Sequence, residues 1–250
     1  MTEIPTGSLL PGFSSVDIID YSARRQFGLP VSENLHRTWH SVMSVVTYLD
    51  AIEDGDYGQQ GELNVEDIVG FISGEAEEAP QLPNIHASIA LEGLVKNFKL
   101  VGLEDSHRQE FVDNSISLAL LHAGNPVDSS VKSLTRHRLA QGRLFGKLFS
   151  DVVPDVCRTD RFEEFEEWVQ VVGAVSEVVD SIWDLSEDHR TGKTAVQPIL
   201  KNRALLAWHA TPESMVAAKN MSPMLAGKLA VKAVLFGVNR SGRFNAHRTK

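Results

Sequence analysis

Residues 159–192 read TDRFEEFEEWVQVVGAVSEVVDSIWDLSEDHRTG, and this stretch decides the fold class. Phe162, Phe165, Trp168, Val172, Val175, Val179, Ile182 and Trp183 recur at steps of three and four, the period of an α-helix. The spacing predicts a helix from Thr159 to about Asp188, with Gly192 as its C-terminal stop. Glu177, Asp180, Asp184 and either Glu187 or Asp188 form an acidic stripe at the same period. Such a stripe is ordinarily a solvated face. Here VVGAVSEVVDSIWDL (171–185) is too apolar for a mostly exposed helix, and carboxylates held on it need a cation nearby.

The same spacing occurs once more. Asp50-Ala-Ile-Glu-Asp54 closes the apolar run SVMSVVTYLDAIED (41–54), just as Asp180-Ser-Ile-Trp-Asp184 sits in its own apolar run. On a helix, carboxylates at i and i+4 share one face about a turn apart and repel one another. A hard divalent cation with oxygen ligands, Mg²⁺ above all, relieves that repulsion.

Outward from these motifs, helical periodicity dominates and alternating strand patterns are absent. A lead-in of residues 1–30, punctuated by Pro and Gly, precedes a helix from Ser32 to Glu53 with Ser32 as cap. Its apolar stripe is Leu35, Trp39, Val42/Met43, Val46 and Leu49. Further helices are expected over Val65–Ser73, Asn84–Leu100 and Ser106–His122, the last opened by a Ser106/Gln109 capping box. Asp128 or Ser129 caps the next, which runs toward Val152. Two more fall between Pro198 and Val238, separated near Pro212 and Pro223. The pattern describes one all-α domain over residues 1–250.

Composition sets bounds. The 250 residues are 42% hydrophobic and 23% charged, and the net charge of −9 argues against a general nucleic-acid binder. One cysteine, Cys157, rules out an internal disulfide framework and suits a reducing, cytoplasmic setting. No apolar run is long enough for a transmembrane span, and MTEIPTGSLLPGF does not read as a secretory leader. The basic end (residues 239–250) reads as a solvated tail or as a lid over an anion.

A metal–phosphate site also needs protein cations. Arg136, Arg143 and Lys147 share one helical face, with Gly142 and Gly146 allowing close approach of a backbone or ligand; the other reading of that face is a snorkelling amphipathic surface. Arg190 and Lys193 follow the second acidic motif closely enough to reach a bound phosphate. His36 and His40 form an i, i+4 pair, but no Glu stands between them in HEXXH form, and no Cys or third well-spaced His completes a zinc set.

LDAIEDGD (49–56) resembles the first aspartate motif of squalene and phytoene synthases. GAVSEVVDSIWDLSEDHRTGK (173–193) resembles the second aspartate region of the class I isoprenoid synthase superfamily, which includes the trans-isoprenyl diphosphate synthases. The resemblance implies an isoprenoid synthase-like helical bundle with a central apolar cavity between two facing aspartate motifs. It implies that Asp50, Asp54, Asp180 and Asp184, with Asp188, bind Mg²⁺. Arg136, Arg143, Lys147, Arg190 and Lys193 would hold the diphosphate of a prenyl substrate. The implied activity is ionisation of an allylic prenyl diphosphate to a terpene or condensed product. Peripheral membrane contact for an apolar product and a homodimer are compatible with it. Ser181 stands where elongating enzymes carry a second adjacent aspartate, and GDYGQQG (55–61) lacks an Arg-Arg pair, which favours ionisation over chain growth. The alternative is a non-catalytic helical regulatory or scaffold module.

Overall fold

The computed structural model describes residues 15–53, 64–123 and 130–219, and among these it is all helical, without a strand. The helices are α1 (Ser15–Arg25), α2 (Glu33–Glu53), α3 (Val65–Ser73), α4 (Ile85–Val101), α5 (Asp105–Ala123), α6 (Val131–Asp151), α7 (Phe162–Thr191), α8 (Leu200–His209) and α9 (Thr211–Lys219). A 3-10 turn at Asp155–Cys157 joins α6 to α7. None of these helices is long and apolar enough to cross a membrane.

Local chemistry explains most of the ends. Ser32 Oγ accepts from Leu35 N at 3.1 Å and opens α2. Asn84 caps α4 through His86 N, and Ser130 caps α6 through Ser133 N. Gly192 closes α7 at φ 81°, a left-handed conformation that a residue with a Cβ resists.

Four expectations shift. The lead-in contains α1, whose Val16, Ile19 and Ala23 repeat at helical spacing and are buried. The Ser106/Gln109 capping box does not form: α5 starts one residue earlier, Arg108 N donates to Glu104 O, and Gln109 Nε2 donates onward to Asp113 at 2.9 Å. Ser130 rather than its predecessors caps α6; Asp128 and Ser129 lie outside the described residues. The break between α8 and α9 falls at Ala210, and Pro212 sits in the first turn of α9, where a missing N–H costs nothing. Pro223 and the helix expected beyond it lie outside the described residues.

The main core gathers α1 to α6 around the N-terminal half of α7. Trp39, Phe165 and Trp168 are almost wholly buried there, with Phe27 packed against Phe165 and Trp168 at 5.7 and 5.6 Å. Trp39 Nε1 donates to Phe149 O at 2.8 Å, so the indole is buried with its polar atom satisfied. A second cluster of Leu134, Val178, Leu185, Val196 and Leu206 packs the C-terminal half of α7 against α6 and α8. Arg203 locks that arrangement by donating to Ile182 O and, at 2.8 Å, to Ser186 Oγ.

The most extensive helix–helix interface joins α6 to α7, and it is a backbone contact. A methyl group added at Gly142 would lie 2.6 Å from Ala174 Cα, one at Gly146 2.7 Å from Gln170 Cα, and one at Gly173 3.0 Å from Gly146 N. The close approach expected at Gly142 and Gly146 is therefore made by another helix. Gly173→Ala is expected to force the two backbones apart and destabilise the protein by about 3 kcal/mol, read as a lower urea midpoint. An unchanged midpoint would mean that the crossing tolerates a wider spacing.

Candidate functional site

A cleft of about 690 Å³ opens between α2, α3, α5, α6 and α7. Its walls follow from helical period. From α2 come Val42, Val45, Val46 and Leu49; from α3, Ile68 and Ile72; from α5, Phe111, Val112, Ser115 and Ile116; from α6, Phe145 and Leu148. These walls are mainly apolar, with Thr47, Ser115, His122, Arg138 and Gln141 as their polar members. One side is different, because α7 contributes Glu177, Asp180, Ser181, Asp184 and Asp188, steps of three and four on a single face. Lys193, just past the end of α7, lines the same side.

The second aspartate motif is thus an acidic strip on one wall of an apolar cleft. Asp180 is exposed, Asp184 half-buried and Asp188 buried. Of the first motif, Asp50 falls in the last turn of α2, next to the cleft-lining Leu49, and Asp54 lies outside the described residues.

The cation at this wall is one the sequence reading passed over. Arg138 is 11% exposed and donates to Glu177 Oε1 at 3.1 Å, to Gln141 Oε1 at 3.1 Å and to Asp188 Oδ2 at 3.4 Å. Buried among carboxylates, it offsets part of their mutual repulsion. Arg136, Arg143 and Lys147 lie on the opposite face of α6, roughly 160° round the helix from the strip of Arg138, Gln141, Phe145 and Leu148. Arg136 is exposed. Arg143 pairs with Glu213 of α9 at 3.4 Å. Arg190, 70% exposed, pairs with Glu187 at the surface. Of the five cations proposed for diphosphate, the structure brings Lys193 alone to the cleft lining. The signal for Arg138 was available: it recurs with Gln141, Phe145 and Leu148 at the period of the inward face of α6.

Lys147 has a structural occupation. Its Nζ lies 3.0 Å from Asp151 Oδ1 and contacts Glu166 of α7, while Asn114 Nδ2 of α5 donates to Asp151 Oδ2 at 2.8 Å. Burial pushes the Asp151 carboxyl above its usual value, against the pull of Lys147 and Asn114. Burial lowers the Lys147 ammonium, but its hydrogen bond to Glu166 and the charge of Asp151 outweigh that and leave it raised. Because folded Asp151 holds its proton more tightly than the unfolded chain does, its ionisation lowers stability as pH rises through that raised value.

Lys147→Met is therefore expected to destabilise the protein by about 2–3 kcal/mol at neutral pH, since it strands the buried Asp151. The loss shrinks in acid, where a protonated Asp151 needs no cation; urea melts across pH check it. A cost that does not vary with pH would show that Asp151 is not the group stranded.

No protein family matches this chain, and neither curated proteins nor solved structures give a match, so the arrangement of its own residues carries the functional reading.

Proposed function

We propose that the protein ionises an allylic prenyl diphosphate in the cleft, with Mg²⁺ as cofactor, yielding a terpene or condensed prenyl product and free diphosphate. One observation carries this reading: an apolar cleft of about 690 Å³ whose acidic wall presents Asp180 and Asp184 at i and i+4. The donor set fits the metal, since its ligands are hard carboxylate oxygens with no thiolate among them. Asp180 and Asp184 would hold it, with Asp188 beside them on the same wall; Asp50 and Asp54 of the first motif are the further ligands of this reading. When bound, Mg²⁺ would neutralise charge developing on the departing diphosphate.

The chain's own groups do the remaining work. Lys193 and Arg138 add positive charge beside the diphosphate and favour its departure. Val46, Ile68, Ile72 and Val112 exclude water from the carbon chain and delay quenching of an allylic cation. Phe111 and Phe145 line the same cleft, and aromatic rings there would stabilise such a cation. A cytoplasmic location, peripheral membrane contact for an apolar product and a homodimer belong to the same reading.

A second reading has its own support. Arg138 already serves as an internal counter-ion for Glu177 and Asp188, as expected of a helical regulatory or scaffold module whose acidic wall needs no metal.

Incubation of the full chain with Mg²⁺ and prenyl diphosphates of several lengths separates the two. The enzymatic reading expects diphosphate release that falls by about 100-fold or more in Asp180→Ala and Asp184→Ala, with helical content and melting temperature retained. Absence of turnover at every length, together with no rise in melting temperature on adding Mg²⁺ and a prenyl diphosphate, would establish the non-catalytic module instead.

A further inference from the structure

The histidine pair of α2 gains from α1 the partners that it lacks in sequence. His36 Nε2 and His40 Nε2 face one another at 3.1 Å, their rings edge to face. Asp17 Oδ1 lies 4.0 Å from His36 Nε2, and one donor atom from each of the three residues falls within 4.8 Å of the others. None of the three lines the cleft.

The far side of the His36 ring is just as organised. His36 Nδ1 lies 3.5 Å from Asp20 Oδ1, and Arg24 Nε grips both oxygens of Asp20 at 2.9 and 3.0 Å. A carboxylate on the Nδ1 side favours the tautomer that leaves the Nε2 lone pair available, the outer arrangement that commonly accompanies metal-bound histidine. Two imidazole nitrogens on a tetrahedral zinc stand about 3.3 Å apart, given Zn–N bonds of about 2.0–2.1 Å. The observed 3.1 Å is close to that edge, and Asp17 reaches a third corner with a side-chain adjustment. His36 and Asp17 are 29% and 33% exposed, so a cation has a path in and water can complete its shell.

We propose that Asp17, His36 and His40 form a divalent transition-metal site, of the kind Zn²⁺ fills, that ties α1 to α2, with Asp20 and Arg24 orienting His36. Two nitrogen donors and one carboxylate favour a borderline cation over Mg²⁺, which sets this site apart from the all-carboxylate wall of the cleft. It holds whether or not the cleft turns over a prenyl diphosphate.

The test is titration of chelator-stripped, full-length protein with Zn²⁺ by calorimetry, and with Co²⁺ by its visible absorption as a probe of coordination geometry. One equivalent is expected to bind with micromolar affinity or better, to give the intense Co²⁺ bands of low coordination number and to raise the melting temperature. His40→Ala and His36→Gln should each weaken binding by about 100-fold. Asp20→Asn, which removes no ligand, should weaken it by about 10- to 100-fold. Asp180→Ala should leave it unchanged. Should His40→Ala fail to fold, His36→Gln and Asp20→Asn decide the matter. Absence of binding to the wild-type chain overturns the site. So does binding that survives His36→Gln and Asp20→Asn intact, or that is lost in His107→Ala, which would move it to the Glu104, His107, Asp155 group.

Discussion

The contact on which the rest of the molecule depends is the meeting of two backbones, α6 and α7, at Gly142, Gly146 and Gly173. Three missing side chains let the helices approach more closely than any Cβ would permit. Everything around the cleft is measured from that crossing. It sets Arg138 of α6 within hydrogen-bonding reach of Glu177 and Asp188 of α7. It turns Phe145 and Leu148 toward the cleft while the opposite face of α6 meets other partners. A wider crossing would lengthen the Arg138 contacts and leave Asp188 buried without its cation, a costly state in a poorly solvated position.

Charge is distributed around this crossing according to burial. At the level of the main core, buried Asp151 takes Lys147 and Asn114, and Lys147 also reaches Glu166 across the interface. Along the cleft, Arg138 binds two of the acids on α7, while Asp180 and Asp184 stand at the cleft surface. On α1, Asp20 sits between Arg24 and His36 of α2. Among the described residues, the buried carboxylates Asp151 and Asp188 thus each have a cation at hand. The cleft wall gathers carboxylates beside a largely apolar volume large enough for a ligand.

Much of the helical plan was legible because it rests on local chemistry. The extents of α2, α3 and α4 follow from apolar period and from side chains such as Ser32 and Asn84 that bond to nearby backbone N–H groups, while α7, expected from Thr159 to about Asp188, runs from Phe162 to Thr191 and stops at Gly192 as expected. The acidic strip of Asp180, Asp184 and Asp188 was legible for the same reason, since spacing along one helix determines which residues share a face. The first turn of α5 was not. Ser106 and Gln109 suit a capping box, but Gln109 found Asp113 on its own helix instead. The helix α1 was obscured by the glycines and prolines around it.

Sequence by itself determined that this chain is helical, where most helices start and stop, and which carboxylates lie together on α7. Those properties depend on residues three or four positions apart. Only tertiary structure decided which face of α6 meets the cleft, and with it that Arg138 rather than Arg136, Arg143 or Lys147 stands among the acids of α7. Both faces of α6 carry cations, and glycine contacts with a helix more than twenty residues away choose between them. Tertiary structure likewise brought Asp17 and Asp20 to the histidines of α2. A sequence motif records neighbours along one chain segment, whereas a coordination shell is assembled from segments that the fold brings together.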